Sequence, residues 1–536
     1  MKKLLQITIL GLFTAISAMA QSGFPESGTC GENLTWHLDI ESGVLTVSGT
    51  GDMTTFYQAP WHYMFVKQAN IDDGVTSIGH SAFRDCFYLT SVSIPNSITS
   101  IGNSAFSSCR SLTSVAIPDS VTSIGISAFS YCRSLSSIDI PNSVTSIGKG
   151  AFYYCSNLTS INVDAANSHY LSMDGVLYDK DKTTLIQHPA GKTGAFSIPN
   201  SVTSIETRGF SDCSGLSSVD IPDSVESIGD YAFSGCSGLS SVTIPNSVKS
   251  IGNYAFSGCS GLTSIDISTS ITSIGFQTFS YCTGLTSIDI PNSVISIGRD
   301  AFFSCTSLSS VTISSSVTDI EDSAFRCCLG LISIEVDAAN FHYSSMDGVL
   351  YNKDQTTLVQ YSTGKTGAFT VPNSVTSIGN RAFYYCSGLT SVDIPNSVTS
   401  IGGEAFYDCS GLTEITLRAV VPPAVKVVTF DHVNVSSITM YVPLESLEDY
   451  QNIYPWSRFN LQGVVFSAVA ENTLEGISVF AQDREIIISG IEQPKVSVYD
   501  VNGRIVASGA MNRITVAKAG IYLVCVKGCA IKVPVL

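Results

Sequence analysis

Twelve of the sixteen cysteines in this 536-residue chain fall at one regular interval. They stand at 86, 109, 132 and 155, at 213, 236, 259, 282, 305 and 328, and at 386 and 409, 23 residues apart within each group and 58 across each gap. Regularly placed thiols suit three kinds of chemistry: metal ligation, disulfide formation, or the filling of a core slot by a small apolar group with a weak donor. No Cys-x-x-Cys pair or Cys/His cluster has zinc spacing, so no metal or other cofactor is expected. An exported chain is open to oxidation, and neighbouring copies of the slot would lie within bridging distance, so disulfides stay open beside the favoured reading of buried free thiols. Cys327 beside Cys328 breaks the pattern, and Cys525 and Cys529 are spaced for a local bridge.

Other catalytic chemistry finds little support. The seven histidines are scattered at 37, 62, 80, 169, 188, 342 and 432, and none forms a His-Glu-x-x-His site. There is no Gly-x-Ser-x-Gly elbow, phosphate-binding loop or dinucleotide fingerprint. The expected class is non-enzymatic.

Two columns emerge when the copies are aligned on the cysteine. Seven residues past it stand Asp139, Asp220, Asp266, Asp289, Glu335 and Asp393, with Ser, Thr, Ala or Asn in the remaining copies. Such a stripe suits cations, basic proteins or sugars, and it equally suits a solvated face kept soluble by charge. Immediately before the cysteine stand Tyr131, Tyr154, Tyr281 and Tyr385. Aromatic rows stack on sugars, anchor protein partners, or pack against one another.

The elements that position these columns follow from the same alignment. Every copy has Phe three residues before the cysteine and Leu three after, then an apolar residue at six and eight, as in Leu89, Val92 and Ile94. This leucine-rich-repeat strand pattern puts Val92 and Ile94 inside and Ser91 and Ser93 outside. Pro95-Asn96-Ser97 ends the strand, a second apolar pair follows in "SVTSIG", and "GxxAFxxC" makes a short helical or irregular arc. One coil cannot bury its apolar face alone, so the copies must stack about 4.8 Å apart as a solenoid.

The expected fold is mostly β: a leucine-rich-repeat solenoid of twelve 23-residue coils over 75–417, with hairpin insertions at about 163–199 and 336–372. The insertions, "VDAANSHYLSMDGVLYDKDKTTLIQ" and "VDAANFHYSSMDGVLYNKDQTTLVQ", point to duplication of a block and read as protruding contact surfaces or plain decoration. Residues 21–74 and 418–464 form β caps holding Trp36, Trp61 and Trp456 as buried anchors. Residues 465–536 form a small C-terminal β sandwich, joined through "SAVAENTLEG" and turning at Asn502-Gly503.

Residues 1–20 combine two lysines, an apolar run and Ala18-Met19-Ala20, which is the pattern of a cleaved secretory signal. No later stretch is long and apolar enough for a transmembrane segment. A net charge of −17 with pI ≈ 4.7 offers no basic field to nucleic acid.

With these residues in view, the chain resembles the BspA-like leucine-rich-repeat surface proteins over roughly 28–463. The resemblance rests on "SGTCGENLTWHLD", "LTVSGTGDM", the twelve repeats, "DGVLYDKD", "VPP" and "MYVP". The last seventy residues are similar to a type IX secretion sorting domain in "VSVYDVNGRIV" and "AGIYLVCVKG", although "ISVFAQDREIIISG" stands where that pattern opens with Asn-Pro. The resemblance implies a secreted or outer-surface location on a Gram-negative bacterium. It also implies adhesion, through the repeat surface, to a host or bacterial surface protein or, alternatively, to a glycan; the chain is expected to act as a monomer.

Overall fold

The computed structural model describes residues 25–464, 466, 478–482, 485–489, 495–500, 504–518, 520–526 and 529–535. The signal segment 1–20, the 467–476 linker and the Asn502-Gly503 turn lie outside the described residues. The chain divides into two compact units: one runs to Val392 and adds Ser397–Leu412 and Pro423–Asn434, and the other holds Asp393–Asn396, Thr413–Pro422 and Val435 onward.

The first unit is a solenoid of stacked coils joined by three backbone ladders, two of which are interrupted in places. The first ladder is the strand after the cysteine, paired parallel and in register, as Ser137–Ile140 is with Ser160–Val163. The second is the Ser-Ile pair of "TSIG", running Ser77, Ser100, Ser123, Ser146. The third runs around the arc, which is a series of turns without helix: Ser81, Phe83 and Asp85 donate amide protons to Asn103, Ala105 and Ser107 of the next coil at 2.7–2.9 Å.

That third ladder demands unusual backbone. The residue before the cysteine is left-handed in every coil, from Ser108 (φ 65°) to Asp408 (φ 53°), and so is the residue five before it. Gly235 and Gly258 occupy the slot without strain, and elsewhere Tyr, Asp, Ser or Cys tolerates it. The glycine that opens the arc has a different cause. At Gly125 an added Cβ would lie 2.5 Å from the Asn103 nitrogen of the preceding coil.

Inside, the phenylalanines form a stacked column: Phe83, Phe106, Phe129 and Phe152 lie 5.1–5.9 Å apart, and the column from Phe210 to Phe325 lies 4.8–5.7 Å apart. Each ring is buried, which contributes about 2–3 kcal/mol per residue before entropy is counted. The cysteine completes this column. Cys109 Sγ donates to the Phe83 carbonyl of the preceding coil at 3.1 Å, and the contact recurs at Cys132, Cys155, Cys236, Cys259, Cys282, Cys305, Cys328 and Cys409 at 3.0–3.2 Å. Phe83 O already accepts the Cys86 amide, so the thiol takes its second lone pair. Burial pushes the Cys155 thiol up to about 12, which keeps its donor proton in place. The twelve cysteines are free buried thiols, as favoured above.

The insertions contain the expected hairpins but do not protrude. Tyr170–Met173 pairs antiparallel with Val176–Asp179, which pairs antiparallel with Thr184–Gln187. Thr184–Gln187 then joins the Ser-Ile ladder against Ser204–Ile205, and Gly194–Ser197 joins the strand ladder against Leu216–Asp220. Each insertion therefore takes the place of a coil. The reason is that Val176, Leu177, Tyr178 and Leu185 are all apolar and at most 1% exposed, so the sheet has no outer apolar face to leave in solvent. Asn167, missed in the sequence, locks the entry: its side chain donates to Pro141 O and Val144 O and accepts from the His169 and Tyr170 amides.

The first coil is covered by Ser27–Gly31, Leu34–Asp39 and Val44–Gly49, the last of which pairs parallel with Gln68–Ile71. In the second unit Glu414–Leu417, Thr439–Pro443 and Asn460–Val464 pair parallel. Trp36, Trp61 and Trp456 are buried in these covers. The C-terminal strands form two sheets around Ile486, Ile488, Val496, Val498 and Val524. Their register sets Cys525 opposite Ala530 and Cys529 opposite Val526, so the local bridge expected from spacing is not formed, and Cys525 is a free thiol.

Candidate binding surface

The strand after each cysteine exposes the residues four, five and seven positions on. The hydroxyls at four are spent on the fold: Thr90, Thr159, Thr263 and Ser309 donate to carbonyls of the preceding coil at 2.9–3.1 Å. Position five is serine in eleven coils and glutamate in the twelfth, and no position of the three holds Lys or Arg in any coil.

The acidic column occupies position seven. Asp139, Asp220, Asp266, Asp289 and Glu335 are exposed and Asp393 is half-buried. Asp139 accepts the Asn162 side chain at 2.8 Å, and Asp266 is 3.5 Å from the Thr243 hydroxyl. Asp393 is different: Arg418 grips both its oxygens at 2.8 and 2.7 Å, which takes it out of any contact stripe. The strand ladder is open between Leu216–Asp220 and Ser241–Thr243. There a groove of about 990 Å³ lies between Asp220, Asp223 and Asp266, with Thr243, Pro222 and Pro245 among its walls.

The tyrosines do not form one row. Tyr131 and Tyr154 stack at 4.7 Å, with Tyr153 set edge-on to both. Tyr281 is exposed and meets Phe303 edge-on at 5.0 Å, and Tyr385 packs beside Tyr384 and Tyr407. Sequence alignment missed the partners because they come from other slots of the coil. Arg208 lies over both Tyr153 and Tyr231, and Arg326 over Phe303. Burial pushes the Asp212 carboxyl beside Tyr154 up to about 6, against the opposing pull of Ser211, Tyr154, Arg133 and Arg208.

Where the first insertion meets its flanking coils, a cavity of about 250 Å³ is lined by Phe152, Tyr170, Leu177 and Gln187. Lys149 and Glu206, 3.6 Å apart, stand at this junction. Glu206 occupies a slot that is glycine in ten of the other coils and glutamate again at Glu321. Among the described residues there is no cluster of three or more His, Cys, Asp or Glu able to hold a metal, and no helix long and apolar enough to cross a membrane.

Known proteins place this architecture. A leucine-rich repeat protein from Eubacterium ventriosum is similar at 30% identity over 59% of this chain and 92% of its own, with a TM-score of 0.51. A leucine rich cell surface protein from Faecalibacterium prausnitzii is 29% identical over 59% of this chain and 95% of its own (TM-score 0.39), and a leucine-rich repeat protein from Bacteroides ovatus is 22% identical over 81% and 99% (TM-score 0.33). No curated protein matches the chain. The profile of the BspA type leucine rich repeat region matches in six copies over residues 54–172, 191–291, 272–347 and 356–462. With the coil, its ladders and this match in agreement, the chain belongs to the BspA-type leucine-rich-repeat family.

Proposed function

We propose that this protein is a non-catalytic adhesin of the bacterial surface, and that its strand face binds cationic groups of a host or bacterial surface protein. One observation carries the reading: the outward strand positions bear Asp139, Asp220, Asp266, Asp289 and Glu335 and no cation, while Arg and Lys lie elsewhere on the coils. The groove between Asp220 and Asp266 supplies relief on an otherwise regular face. Repeated weak contacts along one rigid scaffold add by effective concentration.

The test uses the chain from Gln21 to Leu536 on a surface bearing a lysine-rich protein, with an Asp220→Asn/Asp266→Asn/Asp289→Asn variant in parallel. Wild-type binding is expected to fall steeply with salt, since exposed charges are screened within about 8 Å at physiological ionic strength, and the variant is expected to lose most of it. Equal binding by the variant would remove the strand face from the reading. Saturable binding to neutral oligosaccharides in place of the basic protein would favour the glycan alternative, for which Ser218, Ser241 and Thr243 at the groove offer hydroxyls.

A further inference from the structure

Among the described residues, the C-terminal domain has a sheet edge with little protection. Its larger sheet runs Ile505–Ala510, Lys495–Tyr499, Gly520–Val526, Cys529–Val535, which leaves Ile505–Ala510 outermost. That strand reads Ile-Val-Ala-Ser-Gly-Ala, without charge or proline. Ile505 is 62% exposed and Val506 42%, and all six residues but Ala507 are exposed. Edge strands are normally blunted by Lys, Pro or brevity, because their unpaired amides and carbonyls template another strand. Here a single bulge at Val506 is the one such device on the strand, and Ala507–Ala510 stays in regular register with Lys495–Val498.

Charge says what fits this edge. Arg504 precedes the strand at one end, and Lys495 sits opposite Ala510 at the other. Both are exposed, and neither is in an ion pair among the described residues. Arg513 nearby is already paired with Glu485 at 3.1 Å, and Asp500 accepts the Arg504 amide. Residues 465–536 hold seven Lys and Arg against six Asp and Glu, in a chain of net charge −17. A second copy is a poor occupant. Parallel self-pairing would set Arg504 directly beside Arg504, and antiparallel pairing would bring Arg504 of one copy to within one strand of Lys495 on the inner strand of the other. Like charges directly across a strand pair are destabilising.

We propose that Ile505–Ala510 accepts an extended, uncharged segment of another protein as a fifth strand, with Asp or Glu at the ends of that segment meeting Arg504 and Lys495. The backbone ladder supplies affinity and the flanking charges supply selection, as in other strand-addition interfaces. This site is independent of the strand face of the solenoid.

The experiment measures fluorescence anisotropy of labelled peptides against the chain Gln21–Leu536. The probes are Asp-Asp-Thr-Val-Thr-Val-Thr-Val-Asp-Asp, the same core flanked by lysines, and the aspartate peptide with proline at its centre. The aspartate peptide is expected to saturate, and the other two to bind about tenfold more weakly or worse, a difference of about 1.4 kcal/mol. Val506→Lys, at an exposed position, is expected to cost a similar factor with the far-UV spectrum unchanged. A Lys495→Glu/Arg504→Glu variant is expected to reverse the preference toward the lysine peptide. Indifference to flanking charge, unchanged binding to Val506→Lys, or no binding at about 1 mM would each overturn the proposal. A wild-type dimer in sedimentation velocity that Val506→Lys dissociates would overturn it too, since the occupant would then be a second copy.

Discussion

The two insertions share most of their sequence, and their differences separate what the fold requires from what it leaves free. In the first, His188 enters the aromatic column, stacked on Phe210 at 5.1 Å, with Nδ1 3.3 Å from Cys213 Sγ. In the second, Tyr361 takes that place, 5.1 Å from Phe383. Their amides make the same bond, His188 to Gly209 O and Tyr361 to Ala382 O. The slot thus requires a ring and a backbone donor, and is indifferent to the ring's polar chemistry. Outside, Ser156, Thr159 and Ser168 of the first block are matched by Leu329, Ile332 and Phe341 of the second, and all six are exposed. Since the first block folds with hydroxyls there, packing does not explain the apolar residues of the second.

The largest effect should be the one the blocks share. Phe210→Ala and Phe383→Ala each remove a ring packed between two others and are expected to cost about 3–5 kcal/mol, read as loss of exchange protection at the Phe233 and Phe406 amides. A much smaller cost in one block would break the equivalence of the two columns.

Next come the ionisable groups that only the first block owns. Burial pushes His188 down to about 4, so the unfolded chain takes up a proton that the folded chain refuses. Its contribution is complete above about 6.5 and is lost as pH falls toward 4, on the order of 2–3 kcal/mol. His188→Tyr, the residue of the second block, should abolish that loss. Asp212 acts in the opposite sense. Its raised pKa favours the folded state at acid pH, and that advantage is lost as pH rises from about 4 to 6. Asp212→Asn is therefore expected to stabilise the block at pH 7 by about 1–2 kcal/mol after allowance for screening, with no gain at pH 3.5. Urea titrations of each variant against wild type across pH 3.5–7.5 would show both slopes, and parallel curves would refute them.

The smallest effect belongs to Lys149 and Glu206, which have Asp322 and Gly379 in their places in the second block. The pair is largely exposed, so Lys149→Ala should change stability by less than about 0.5 kcal/mol. A larger change would mean that the neighbouring cavity depends on the pair.

The chain alone determined the coil. Phe, Cys, Leu and the apolar pair recur at fixed offsets, and a one-dimensional array has only nearest-neighbour contacts, so period and core positions can be read directly. The outward acids were legible for the same reason, because alternation along a strand assigns faces. Three things were decided only in three dimensions. The thiol's purpose depends on a carbonyl 26 residues upstream, Phe83 O for Cys109, which no local pattern names. The tyrosines form separate clusters because Asp212, Gly235, Gly258, Ser304 and Cys327 hold the slot in the coils between them, and which rings from other slots, Tyr153 and Phe303, join each cluster was set only in three dimensions. The insertions became coils because Thr184–Gln187 and Gly194–Ser197 find ladders to join, and strand pairing between distant segments is a tertiary event.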